Sequence, residues 1–484
     1  MLVTASTAFC QKSDTTEARP EDVAGQPGEK GLPTSLLQPH EIPPEMEISK
    51  ELLTEGEELD FKKKGGERAF DNALKATNPN EEEKKALEAA AKWWAYRLTM
   101  KKYREEERKE EKPGPAAKNA PPKERLPDLR KNLLNAIRTY SKPTAPAARE
   151  WFLKALTDRL AELLDNNLLV RLNAVWLLGQ LQSDNGIPNK NPPVEPTPYV
   201  GAYTLLLTVI KDDKQHPAVK IAAVRGLSRI CRGALPDAND KRRGEIAMVL
   251  AAELAKKETH WWYQMALAEA LGAAGVTYDP NNKMNPVVLQ VLAEALADKK
   301  RHWQVRTEAA RAIGRLPLDA NLNIAPVAYE IVHLGLQMSQ GYNANAKRDA
   351  WNNYFLILYF AFKPEKADAK VAGGKRKPGL LEALPNSKEV KDAYEQIVLM
   401  ASHVLNENGK PFPLAQMKAF EEWMKGHLPT NGRITAGAPP IITQPEPAPA
   451  SAKPGPAGNG KPASAITKPE LNKPAPAAKP ATAG

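Results

Sequence analysis

Three histidines hold one place in a repeated pattern. His216, His260 and His302 each stand three residues before the segments that begin Val219-Lys220, Tyr263-Gln264 and Val305-Arg306. Asn167 and Asn343 hold that place before Val170-Arg171 and Ala346-Lys347. Imidazoles in register suggest a metal first. If the segments are stacked helices, however, successive histidines lie roughly 8–10 Å apart, whereas zinc ligands must come within about 2 Å of the ion. A ladder at that pitch does not converge. The position suits another role, the turn into a helix, where a side chain can accept hydrogen bonds from the unpaired N–H groups of the first turn. Pro217 after His216 sits where proline favours a helix start. No metal and no cofactor are therefore expected.

Beside two of these histidines stand Trp261, Trp262 and Trp303, with Arg301 and Arg306 close in sequence. Aromatic residues with arginine are the composition of a binding hot spot, and ring stacking with positive charge is what single-stranded nucleic acid uses. Trp261, Trp262, Trp303 and Arg306 are the candidate binding residues. Arg225, Arg229, Arg232 and Lys241-Arg242-Arg243 add positive charge, read more simply as a solvated basic face than as a phosphate track. No P-loop, G-x-S-x-G, H-E-x-x-H or G-x-G-x-x-G motif occurs, so no catalytic residue is assigned.

The elements that must position these residues are helices. Four segments share one pattern: Val170 to Gly179, Val219 to Ser228, Tyr263 to Gly272 and Val305 to Gly314. Their period of about 41–49 residues is that of helical-pair repeats. Small residues at Ala174, Ala223 and Ala309 let one helix approach the next, and Leu178, Leu227 and Ile313 fill the core four residues later. Leu267 breaks the rule in the third segment. A fifth such helix fits near Ala346 to Phe355 and a weaker one at Leu414 to Met424. Between these B helices lie longer apolar A helices: Trp151–Leu164, Tyr199–Ile210, Glu245–Ala255, Pro286–Ala297, Pro326–Met338 and Val390–Leu405. Stacked pairs bury their apolar stripes as one continuous core. The expected fold class is all-α: a superhelical solenoid of about five or six helical pairs with disordered ends.

The whole chain has 484 residues, 43 prolines concentrated at its ends and a formal charge of +10. Residues 1–68 are rich in Pro, Gly, Glu and Lys and read as disordered. Within them, residues 1–11 resemble the back half of a secretory signal without a basic start, leaving export to the envelope and a cytoplasmic location both open. Residues 69–112 form a charged helical segment, with a helix from Asn80 to Glu111 capped by Asn80 and packed through Trp93-Trp94. Residues 113–125 are a linker, 126–429 the solenoid, and 430–484 a Pro/Ala/Lys-rich extended tail. Two cysteines, Cys10 and Cys231, exclude a disulfide framework. No apolar run is long enough to span a membrane.

The B segments, with a basic residue second, Ala-rich turns and Leu-Gly near the end, resemble the HEAT-repeat family, particularly its bacterial members. The likeness covers about residues 165–425. Arg171, Lys220, Arg306 and Lys347 match the family's basic position, Gln264 departs from it, and histidine replaces the usual Asp cap in three units. What the resemblance implies is a non-enzymatic protein–protein interaction scaffold with a protein partner. Nucleic-acid binding is the alternative, remotely as in HEAT-like DNA glycosylases, for which Asp298, Glu308 or Asp349 would be the acidic residue. Hydroxylases of this fold use repeated His-Glu pairs; here only His40-Glu41 occurs. A third reading is an envelope scaffold tethered by the tail.

Overall fold

The computed structural model describes residues 50–103, 124–142, 145–191, 193–237, 240–282, 285–320, 322–346, 350–363, 379–407 and 409–434. Lys347, Asp349 and His40-Glu41 lie outside them. The described residues are all-helical, with isolated bridges but no strand.

Three helices lead in: α1 (Glu55–Lys63), α2 (Gly66–Ala73) and α3 (Glu81–Arg97). The first two correct the expectation of disorder up to residue 68. Thr54 and Glu57 form a capping box on α1, Phe61 stacks on Trp93 at 4.8 Å, and Phe70 meets Phe152 at the same distance. Low overall hydrophobicity concealed a few well-spaced anchors, Leu53, Phe70 and Leu74, all buried. Asn80 caps α3 as expected, again with a capping box. The helix ends at Arg97, not Glu111. A 3₁₀ turn at Lys101–Tyr103 carries the chain back, so that Arg97 and Tyr103 both reach the buried Glu58 carboxylate, at 2.9 and 2.5 Å. Burial alone would raise the Glu58 pKa. Hydrogen bonds from Lys102 and Tyr103 and the Arg97 charge outweigh it and hold the group below its ordinary value. Residues 104–111 of the expected helix lie outside the described residues.

After α4 (Leu126–Tyr140) come the pairs: α5 (Pro146–Ala161) with α6 (Leu168–Gln180), α7 (Tyr203–Lys211) with α8 (Pro217–Gly233), α9 (Lys241–Ala255) with α10 (Trp261–Ala274), α11 (Val287–Ala297) with α12 (Trp303–Gly314), and α13 (Ala325–Ala344) with α14 (Ala350–Tyr359). A short α15 (Leu380–Ala383) precedes the last pair, α16 (Lys388–Asn406) and α17 (Leu414–Gly426). The B helices pack in one row, α6 on α8, α8 on α10, α10 on α12 and α12 on α14, and the A helices in another, α9 on α11 and α11 on α13. The result is an all-α solenoid. Close approach in the B row has a visible cause: a Cβ placed on Gly179 would lie 2.9 Å from the Gly226 Cα. Ala174, Ala223, Ala309, Leu178, Leu227 and Ile313 are all buried, and Leu267 is buried in the same row, so the third repeat keeps its register.

Two boundaries differ from the sequence reading. Helix α13 runs on to Ala344, so Asn343 lies inside it and does not cap the fifth B helix; its amide pairs with the Phe412 backbone, accepting from N–H at 2.6 Å. The segment after Pro429 is not all tail. Arg433 donates twice to Glu330 of α13, at 2.7 and 2.9 Å, and Ile434 is buried. Residues 435–484 lie outside the described set.

Candidate functional site

The turns that join A to B helices form one edge of the solenoid, and the histidine caps and two of the candidate residues, Trp261 and Trp262, lie there. Each cap is made. Asn167 Oδ1 accepts from Val170 N–H at 2.9 Å. His216, His260 and His302 accept through Nδ1 from Ala218, Trp262 and Gln304, at 3.1, 3.2 and 3.2 Å. A neutral ring that accepts at Nδ1 carries its proton on Nε2. Among the described residues no group of three His, Cys, Asp or Glu is placed to hold a metal.

Adjacent turns are tied by polar contacts. Arg171 donates to Gln215 of the next turn at 2.8 Å. Two repeats on, the partners trade ends: Arg301 donates to Gln264 at 2.9 Å. Gln264, which departs from the basic pattern, thus keeps an Arg–Gln contact by exchanging its members. Lys220 approaches Glu253 at 3.4 Å, and Lys256 bonds Asp213 across repeats at 2.7 Å.

The aromatic residues separate into two groups. Trp262, 49% exposed, stacks on Trp261 at 5.9 Å, and Trp261 stacks on His302 at 4.3 Å and an 18° interplanar angle. Rings from two successive turns therefore make one column that ends in solvent. Lys257, Glu258, Lys299 and Lys300 are exposed in the same two turns. Trp303 and Arg306 are not on this surface, which corrects the expectation for both. Trp303 is 3% exposed and packs on Trp351 at 4.9 Å. Arg306 is fully buried and donates through Nε to the Leu296 carbonyl at 2.8 Å. Burial pushes its pKa down to about 10, against the opposing pull of Glu330 and Asp298.

The supplementary arginines are engaged within the fold. Arg229 donates to the Gly179 carbonyl at 3.0 Å, Arg232 to Glu269 at 2.8 Å and Arg242 to Asp240 at 2.6 Å. Arg243 is buried and bonds the Leu235, Ala274 and Cys231 carbonyls. Arg225 and Lys241 remain exposed. Of the acidic candidates, Asp298 holds the Lys300 N–H and faces Arg301. Glu308 is buried between Arg311 and Arg315 at 3.4 and 3.6 Å, and desolvation raises its pKa despite them. Neither stands in the exposed column. The lysines of the edge were the feature that sequence reasoning passed over. Their recurrence in turns 211–216, 256–260 and 298–302 was the available signal.

No family model, no curated protein and no solved structure matches this chain. Among the described residues no helix is long and apolar enough to cross a membrane.

Proposed function

We propose that this chain is a protein-binding scaffold, built on HEAT-like helical pairs, that meets its partner through the A–B turn edge and performs no chemistry there. The observation that carries the reading is the Trp262 ring, half exposed at the end of a preformed column. A rigid aromatic held by its neighbours loses little entropy on binding and has the composition of a hot spot. The nucleic-acid reading has less support. Stacking of bases needs open ring faces, but Trp261 already stacks against Trp262 and His302. Phosphate contacts need free guanidinium or ammonium groups; most of the nearby arginines are bonded within the fold, which leaves the exposed Lys257, Lys299 and Lys300 for that role.

The test is a salt-stepped capture with the full chain as bait, measuring protein and nucleic acid in each eluate. A discrete protein that survives high salt and is lost with Trp262→Ala supports the scaffold. Nucleic acid released at low salt, with no discrete protein, overturns it, because counterion release makes phosphate binding steeply salt-dependent.

A further inference from the structure

The segment that follows α17 is held to the fold by side chains. Among the described residues, the one backbone–backbone hydrogen bond of residues 429–434 is internal, from Gly432 N–H to the Pro429 carbonyl at 2.9 Å. Gly432, at φ +84°, turns the chain, and Arg433 enters a socket on α13. The Glu330 carboxylate, with none of its side chain exposed, accepts from Arg433 Nε and Nη2 at 2.7 and 2.9 Å. Two bonds from one planar fork are a contact that lysine cannot make. The same Nη2 lies 2.8 Å from His333 Nδ1, which accepts from it when the ring is neutral. The guanidinium stands 5.6 Å from the centre of the Tyr329 ring, within cation–π range. Ile434, the next residue, is buried in the core.

The socket stays charged. Burial alone would raise the Glu330 pKa; the hydrogen bonds with His333 and Arg433 and the Arg433 charge outweigh it and hold the group below its ordinary value. The occupant is also exchangeable. Its side chain is one-third exposed, so solvent reaches the contact. Removing one partner of a buried ion pair ordinarily strands the other. Here the buried Arg306 of α12 acts on the same carboxylate, and its Nη1 and Nη2 have no hydrogen-bond partner among the described residues. When Arg433 withdraws, a cation remains to balance Glu330.

We propose that Glu330, His333 and Tyr329 form a recognition socket for an arginine followed by an aliphatic residue, that Arg433-Ile434 fill it from within the chain, and that a segment of the same pattern in a partner protein displaces them. The site uses other residues than the A–B turn edge and goes beyond that reading.

The test uses the full chain and the peptide Pro-Thr-Asn-Gly-Arg-Ile, with binding titrated by saturation-transfer NMR. Arg433→Ala vacates the socket. It should bind the peptide roughly tenfold or more tightly than wild type, in which the tethered arginine competes at high effective concentration. A peptide with lysine in place of arginine, or Glu330→Gln added to the protein, should abolish the gain. Equal binding to wild type and Arg433→Ala, or binding that survives Glu330→Gln, would put the peptide elsewhere and overturn the inference. So would no binding to an Arg433→Ala protein that unfolds at the wild-type urea midpoint. If that variant does not fold, wild type decides: excess peptide should raise hydrogen exchange at the Gly432 and Ile434 amides several-fold, and unchanged exchange overturns the inference. Wild-type dimers in sedimentation that Arg433→Ala abolishes would give the socket to a second copy and overturn the partner. The readout involves neither Trp262 nor a captured protein, so its failure leaves the edge reading standing, and a failed capture leaves the socket standing.

Discussion

The turns at His260 and His302 start alike and end differently. Each has a histidine cap followed by tryptophan, and each histidine accepts one N–H at 3.2 Å. Yet Trp261 belongs to a column that ends in solvent, while Trp303 is in the core. The following A helix decides between them. Helix α11 has 11 residues and stops at Ala297, so the next turn brings His302 over Trp261. Helix α13 has 20 residues, and near its end Gly341 leaves room for an indole: a Cβ there would meet Trp303 at 2.3 Å and Trp351 at 2.9 Å. A pocket made by one glycine turns a surface ring into a core ring. The same residue type at the same repeat position therefore joins a column that ends in solvent in one turn and packs in the core in the next.

The largest effect should come from emptying that pocket. Trp303→Ala removes a buried indole and is expected to cost about 3–5 kcal/mol, read as a lower denaturation midpoint in urea with an unchanged slope. Loss below about 1 kcal/mol would mean that Trp303 is no more structural than its counterpart. Gly341→Ala attacks the pocket from the other side. The added methyl should cost about 1–3 kcal/mol by overpacking. Combined with Trp303→Leu, its cost should shrink, because the two side chains compete for one space. Additive costs would show that the glycine is not what admits the ring.

A smaller effect separates the caps. His260→Ala loses a cap, worth on the order of 1 kcal/mol, and a wider ring contact with Trp261, at 5.7 Å against 4.3 Å for His302. His302→Ala loses a cap and the closer of the two histidine rings stacked on Trp261, adding roughly 0.5–1.5 kcal/mol. His302→Asn should restore the cap and not the stack, so thermal stability recovers in part while tryptophan quenching by acrylamide stays raised. Equal stability of His260→Ala and His302→Ala would dissolve the column as a physical unit.

Much of this was legible in the sequence, because helix period, small residues at the B-row contacts and cap residues are local signals. Asn167, His216, His260 and His302 could be placed at helix starts from spacing alone. What was hidden depended on distant residues. The burial of Trp303 is decided by Gly341, 38 positions later. The helices before α3 are short and charged, and they are held by Phe61 on Trp93 and by a Glu58 carboxylate that finds its partners only after the chain turns at Lys101. Arg306 looked like a surface cation because its carbonyl partner, Leu296, is backbone and leaves no trace in a side-chain pattern.

The smallest stability effect should belong to the residue on which the function reading depends most. Trp262 touches its neighbour on one face and solvent on the other, so Trp262→Ala removes little buried area and should change unfolding free energy by no more than about 0.5 kcal/mol. Binding should respond in the opposite order. Loss of an exposed hot-spot aromatic costs about 2 kcal/mol or more in affinity, a factor of roughly 30 in Kd. The pair of measurements matters more than either alone. A Trp262→Ala protein as stable as wild type that no longer captures its partner separates the binding turn from the structural turn. A variant that is destabilised as strongly as Trp303→Ala would put both tryptophans in the core and leave the edge without an anchor.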